Sequence, residues 1–307
     1  MSDDIVFDRN FPLAPGAVDT VAPGVRRILC PNPSPFTFTG TVTYIVGSGR
    51  VAIVDPGPDV DDHVAAILDA VRGETVTHIF VTHTHRDHSP AAAKVKAATG
   101  GLLLGEGPHR ASRTLHSGET KRLDAGGDQD FRPEQALRYG DVVAGDGWAL
   151  EALATPGHTG NHMAYALAGT DIMFSGDHVM GWSTTIVAPP DGSMRDYMNS
   201  LDKLAARRET VYLPGHGPAI RNASRYVAQL RRHREAREAA ILRELRNGPA
   251  TIPELVQRIY VGLDPKLAGA AGWSVLAHLE DVVARGLVST EGEPTIAGTY
   301  RVVAGAG

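Results

Sequence analysis

The sequence predicts an α/β domain followed by a small winged-helix-like unit, and three observations carry that prediction. Its 307 residues, at about 150 per domain, suggest two domains or one large domain with an appendage. Short strand-like runs alternate with helical patterns over the first two thirds of the chain. Near residue 222 the character changes, and an arginine-rich helix leads into a compact unit of helices and a hairpin.

Residues 41–46 (TVTYIV) and 51–54 (VAIV), joined by Gly47-Ser48-Gly49, read as a β-hairpin. Helical spacing of Val64, Ile67, Leu68 and Val71 marks a helix over 61–71. A strand over 76–81, a helix over 90–98 and a short strand over 101–104 follow. Residues 106–134, with Gly126-Gly127 and mixed charges, read as a surface excursion. Beyond it lie short strands at 148–154, 163–167, 172–174 and 211–213, with a helix at 194–206.

The helix over 223–246 carries Arg225, Arg231, Arg232, Arg234, Arg237, Arg243 and Arg246, interleaved with Glu235, Glu238 and Glu244. That pattern reads as a solvated bridging helix with i, i+4 charge pairs. The predicted organisation is thus a domain over 1–222, a linking helix over 223–246 and a C-terminal unit over 247–307. In the last unit Thr251 can cap a helix with Pro253 in its first turn and a stripe of Ile252, Leu255, Val256 and Ile259. A second helix spans 274–285 and stops at Gly286. Runs at 287–289 and 299–303 can then pair, which gives the winged-helix order.

Composition limits the chemistry. With 42% hydrophobic and 21% charged residues the chain is ordinary globular protein, and its net charge of −5 offers no global field for nucleic acid. No apolar run reaches the roughly 18 to 20 residues that span a bilayer, and Met1-Ser2-Asp3-Asp4 lacks an apolar signal core, so the expected location is the cytoplasm, without membrane partners. A single cysteine, Cys30, excludes an internal disulfide and thiolate-rich metal sites. Thirteen histidines direct attention to imidazole and carboxylate ligands, which suit zinc, iron or manganese.

The strand over 76–81 runs directly into Thr82-His83-Thr84-His85-Arg86-Asp87-His88. In extended chain the side-chain period is two, so His83 and His85 face one ion. If the chain then turns, Asp87 and His88 face a second position about 3.5–4 Å away. Further candidates each follow a predicted strand: His158 in Thr155-Pro156-Gly157-His158-Thr159, Asp177 in Ser175-Gly176-Asp177-His178, and His216 in Pro214-Gly215-His216-Gly217.

HxHxDH, GHT, GD and PGHG in this order resemble the metallo-β-lactamase superfamily. The resemblance implies an αββα sandwich with a dinuclear site at one edge of its two sheets. It implies that His83, His85 and His158 hold one divalent ion, that Asp87, His88 and His216 hold the other, and that Asp177 bridges them. Zinc is the first expectation for both ions, with iron or manganese as alternatives. Asp87 and Asp177 are the catalytic candidates. Asp55, in Val54-Asp55-Pro56-Gly57, matches the superfamily's early aspartate and would support the ligands, a turn-capping role being its alternative. His162 either reaches the pocket rim, supporting ligands or substrate, or makes a structural hydrogen bond. His178 reads as structural, and His63, His78, His109 and His116 as structural or exposed.

The segments TPGHTGNH (155–162), YMNSL (197–201), YLPGHGP (212–218) and HREAREAAIL (233–242) further resemble the beta-lactamase-like protein 2 family, which has a winged-helix-like C-terminal domain. Val42 departs from that pattern, which would place Asn there.

The implied chemistry is hydrolysis by a hydroxide bridging two metals, with phosphodiester cleavage of single-stranded RNA as the first expectation. The alternative is hydrolysis of a small-molecule thioester or lactone, favoured by the acidic charge and the lack of an aromatic, basic stripe. A third reading is non-catalytic nucleic-acid binding through the C-terminal unit. That unit has four cations (Arg258, Lys266, Arg285, Arg301) against six acids (Glu254, Asp264, Glu280, Asp281, Glu291, Glu293), which disfavours duplex DNA. The expected role for it is a wall of the substrate site.

Overall fold

The computed structural model describes residues 5–116, 119 and 126–304. The acidic start at residues 1–4 lies outside the described residues, as do 305–307 of the C-terminal unit. Among the described residues, no helix is long and apolar enough to cross a membrane.

Two mixed sheets stack face to face. The first runs β1 (Val18–Ala22), β2 (Val25–Leu29), β3 (Val42–Val46), β4 (Arg50–Val54), β5 (Thr75–Phe80), β6 (Leu102–Gly105) and β7 (Gln135–Ala136), side by side in that order. The second contains β8 (Val142–Ala144), β9 (Ala149–Ala154), β10 (Met163–Leu167), β11 (Ile172–Gly176), β12 (Val211–Pro214) and β13 (Ile220–Arg221), in spatial order from β13 back to β8.

Strand alternation sorts the core. In β3, Val42, Tyr44 and Val46 point between the sheets and meet Met163, Tyr165 and Phe174. Ile45, facing the other way, joins Ile53 and Ile79 under helices α1 (Asp61–Ala70) and α2 (Ala91–Thr99). On the far sheet, Ala164, Met173 and Tyr212 are covered by α3 (Met194–Ala205) and by the first half of α4 (Ala223–Arg246). The result is the four-layer αββα sandwich.

The C-terminal unit pairs β14 (Ala250–Thr251) and β15 (Val288–Ser289) with β16 (Thr299–Val302), against α5 (Ile252–Ile259) and α6 (Ala268–Ala284). Thr251 and Glu254 close the predicted cap of α5, the Glu254 carboxylate accepting from the Thr251 N–H at 2.7 Å.

Three expectations need correction, and two strands are left unassigned by the sequence pattern. The helix α4 is not a solvated bridge: Tyr226, Val227 and Leu230 belong to the sandwich core, whereas Ile241 and Leu245 belong to the core of the C-terminal unit. Most of its charges occupy the outer face, where Arg231 pairs with Glu235, but Arg234 is buried. The 106–134 segment is only in part a surface excursion. Residues 117, 118 and 120–125 of it lie outside the described residues, but His109, Asp128 and Phe131 are buried. Helix α6 begins six residues earlier than the apolar pattern suggests, because Ala271 and Gly272 pack closely on the α5 side, Gly272 within reach of Ile252. Finally, β1 and β2 escape the sequence pattern because polar residues interrupt them, Arg27 of β2 pairing with Asp19 of β1 at 2.7 Å.

Candidate metal centre

All seven predicted ligands lie just beyond strand ends on one edge of the sandwich. His83, His85, Asp87 and His88 follow β5, His158 follows β9, Asp177 follows β11 and His216 follows β12. Backbone bonds across the layers hold this edge together: Met163 N–H donates to the Thr82 carbonyl at 2.7 Å, and Val42 N–H to the Gly215 carbonyl at 2.8 Å. Glycine is required at 215, since a Cβ there would sit 2.5 Å from both Asp177 Oδ1 and His88 Cε1.

The side chains sort into two groups that share Asp177. His83, His85 and His158 bring one ligand atom each within 4.8 Å of one another, as do Asp87, His88 and His216. His83, His88 and Asp177 form a third such group, which joins the other two. Asp177 Oδ2 lies 3.7 Å from His158 Nε2 and 3.3 Å from His216 Nε2, while Oδ1 lies 3.5 Å from His88 Nε2.

Each histidine uses one ring nitrogen as an anchor and turns the other inward. His85 Nε2 donates to Asp191 (3.1 Å), His88 Nδ1 to Asp55 (2.9 Å), His158 Nδ1 to the Ile186 carbonyl (2.6 Å) and His216 Nδ1 to the Gly40 carbonyl (3.2 Å). His83 Nδ1 meets Thr82 Oγ1 at 3.1 Å. The inward nitrogens then crowd together: His158 Nε2 is 3.0 Å and His83 Nε2 3.1 Å from His85 Nδ1, and His88 Nε2 is 3.3 Å from His216 Nε2. Fixing one nitrogen leaves the other as a lone-pair donor, the arrangement in which imidazole binds metals. Buried lone pairs this close repel unless a cation lies among them, and Asp177 Oδ1 is buried with no hydrogen-bond partner among the described residues. The donor set therefore fits divalent metal.

Without metal, the imidazoles shift in opposite directions and not by group: burial opposes charge on His85, but Asp191, Asp87 and Asp177 raise it. Burial, reinforced by the surrounding histidines, holds His83 well below the usual range, and burial with His85 pushes His158 down to about 4. Burial also opposes charge on His216, but Asp177 and Asp87 outweigh it and raise the group to about 9. In the same way Asp87, Asp177 and Asp55 overcome burial and hold His88 well above its ordinary value.

Asp55 supports both groups. Its carboxylate accepts from Thr82 N–H and Thr82 Oγ1, each at 2.7 Å, and through Thr82 it steers His83 as well as His88. His162 is buried behind the ligands, its ring centroid 5.1 Å from that of His83. It donates to Thr155 Oγ1 at 2.8 Å and accepts the Asp177 N–H at 3.1 Å, so it fixes the turn bearing Asp177. His178 is buried on the Tyr197 ring, in keeping with a structural role. Val42 is buried, and Asn32 makes the nearby polar contacts: it accepts from Thr41 N–H at 2.9 Å and donates to Thr41 Oγ1 at 3.0 Å.

The sequence reading missed Asp191 and underrated His109. Asp191 joins His85 to His109, and His109 Nδ1 meets Thr84 Oγ1 at 2.9 Å. The only local hint is the turn Pro189-Pro190-Asp191-Gly192, which carries no spacing signal toward residue 85.

Beside the cluster lies a crevice of about 220 Å³ between the sandwich and the C-terminal unit. The strip 182–186 forms one wall, α4 another and Tyr260 with α6 a third. This strip also touches the cluster: the Ile186 carbonyl anchors His158, and Thr185 Oγ1 donates to the Asp177 carbonyl at 2.7 Å.

Residues 36–216 match the model of the metallo-beta-lactamase superfamily, and residues 251–297 that of the beta-lactamase associated winged helix domain. The chain belongs to the metallo-beta-lactamase superfamily. It is a hydrolase of that superfamily, whose members typically bind divalent metals. It is 33% identical over 234 residues to a superfamily relative in Caenorhabditis elegans, the beta-lactamase-like protein 2 homolog, a match covering 75% of this chain and 73% of the relative. It is 31% identical over 257 residues to an atrochrysone carboxyl ACP thioesterase of Aspergillus chevalieri, covering 79% of this chain and 75% of the relative. The solved beta-lactamase domain protein from Burkholderia ambifaria superposes with a TM-score of 0.77 over 96% of both chains at 23% identity, which speaks for the metallo-beta-lactamase fold with its appended unit.

Proposed function

We propose that the protein hydrolyses small acyl thioesters with two bound divalent ions, zinc in the first instance. The crevice carries this reading. It adjoins the ligand cluster through the strip 182–186, and aromatic side chains of Phe36, Trp182 and Tyr260 line it. At about 220 Å³ it lies below the roughly 300–1,000 Å³ of drug-sized sites, which suits one short acyl group. The similarity to atrochrysone carboxyl ACP thioesterases supports the same substrate class.

In this reading His83, His85 and His158 would hold one ion and Asp87, His88 and His216 the other, with Asp177 placed near both groups. Bound zinc supplies a Lewis acid and activates water near neutral pH. Asp87 is the most exposed of the seven side chains, at 27%, with Oδ2 3.2 Å from His216 Nε2. It carries the proton from the attacking water to the departing thiolate. Asp55, Asp191 and the Gly40 and Ile186 carbonyls keep the imidazoles from turning. The C-terminal unit walls the substrate site and does not read duplex DNA.

A second reading, cleavage of single-stranded RNA, rests on the resemblance of residues 155–162 and 212–218 to the beta-lactamase-like protein 2 family. The discriminating experiment offers zinc-loaded protein a coenzyme A thioester, a lactone, a chromogenic β-lactam and single-stranded RNA. Fastest turnover is expected on the thioester, lost with a chelator and in His83→Ala. RNA cleavage with the thioester left intact would replace this reading by the second.

A further inference from the structure

We propose that the crevice beside the metal centre binds an anionic group of the substrate, with Arg234 and the Trp182 indole as its donors. The proposal rests on the thioester reading and specifies which thioesters are taken.

Arg234 lies in the middle of α4, where it is only 4% exposed. Its neighbours are neutral: Nη2 donates to the Thr185 carbonyl, Nη1 reaches Ser274 Oγ at 3.4 Å, and the guanidinium lies 5.1 Å from the Tyr197 ring centroid. Among the described residues no carboxylate lies within ion-pair distance of it, and its Nε meets no acceptor. A buried charge is costly without a counter-charge, and unpaired buried donors are rare. Trp182 Nε1, in the wall of the same crevice, also meets no acceptor. Arg9 adds a second cation to the lining, and no aspartate or glutamate contributes to it. In a chain of net charge −5, a pocket with two arginines and no acid selects an anion.

The position fits a substrate whose reacting carbonyl lies at the metals. Trp182 packs against Gly217, the residue after His216, and is stacked on Phe38 with ring centroids 5.0 Å apart. Arg234 binds Thr185, whose hydroxyl binds the Asp177 carbonyl. An oxyanion held by the guanidinium thus sits against the loop that anchors His158 and Asp177. A terminal carboxylate of the acyl group and the phosphate of a pantetheine arm share this chemistry.

The test measures kcat and KM on two substrate pairs with zinc-loaded protein. Glutaryl and pentanoyl N-acetylcysteamine thioesters differ in the carboxylate. Butyryl-coenzyme A and butyryl N-acetylcysteamine differ in the phosphates. One pair should show a KM at least about tenfold lower for its anionic member, as expected for a charge-assisted hydrogen bond. Arg234→Gln should erase that difference, acting on KM more than on kcat, and Arg234→Lys should restore part of it. Since Arg234 also packs on Tyr197, Trp182→Phe provides a milder variant that removes only the indole donor and should raise the same KM severalfold. No anionic preference in either pair, or a preference that survives both Arg234→Gln and Trp182→Phe, would overturn the proposal. Should no thioester be turned over, the substrate reading fails by itself. The anion site is then judged by calorimetric titration with benzenesulfonate, a poor zinc ligand. Binding that Arg234→Gln abolishes supports the site, and absence of binding to the wild type overturns it.

Discussion

The carboxylate of Asp191 lies 3.1 Å from His85 Nε2, and its other oxygen lies 3.1 Å from His109 Nε2. His85 is less buried than the other histidine ligands, so its ring would swing without this anchor. Asp191 also biases the tautomer that leaves Nδ1 facing His83 and His158.

Asp191→Ala is therefore expected to weaken metal binding by about 10- to 100-fold, the usual cost of losing such a support. Competition with a chromophoric chelator measures it. The fold should persist, because Asp191 contributes no apolar contact to the core clusters. Unchanged metal affinity would show that His85 needs no anchor.

Asp55 should matter more, since it steers a histidine of each group through His88 and Thr82. Asp55→Ala leaves Thr82 N–H and His88 Nδ1–H without their acceptor in a buried place, a loss of about 1–3 kcal/mol per group. Urea unfolding should show lowered stability, and elemental analysis lowered metal content. A variant with wild-type stability and metal content would return Asp55 to turn capping.

The titration of His216 gives a sign that can be checked. In metal-free protein its folded value of about 9 exceeds the usual 6.5 or so. The Asp177 and Asp87 contacts therefore stabilise the fold fully below about pH 6.5, and that contribution fades as pH rises through about 9. Metal needs neutral imidazole, so metal binding works the other way and metal content should fall below about pH 6. Thermal unfolding with and without zinc should show a metal-induced gain in Tm that grows from about pH 6.5 to 9. A gain independent of pH would contradict this.

Much of the centre is visible in the sequence because its ligands come in short runs at strand ends: four side chains in six residues after β5, and three glycine turns after β9, β11 and β12. Asp191 is not visible, since 106 residues separate it from His85 and only the fold joins them. His109 is hidden for the same reason, within a segment whose glycines and charges resemble a surface loop. Seven arginines likewise obscure the apolar stripe of α4, where Leu230 and Ile241 serve two different cores.

The two cores make one further distinction testable. Leu279 is fully buried in the C-terminal unit, and Leu279→Ala should cost about 2–5 kcal/mol there. All seven proposed ligands precede residue 217, so metal content should hold while thioester turnover falls with the loss of the crevice wall. Loss of metal together with the C-terminal unit would tie the centre to that unit instead.

The central claim is that seven side chains converge to hold two ions with Asp177 between them. The most direct test is metal stoichiometry by elemental analysis after reconstitution, on wild type and Asp177→Ala, with turnover followed in parallel. The account predicts close to two equivalents per chain in the wild type, and both fewer equivalents and most activity lost in the variant. Full activity with a single equivalent, or an Asp177→Ala protein that keeps both metals and its turnover, would contradict it.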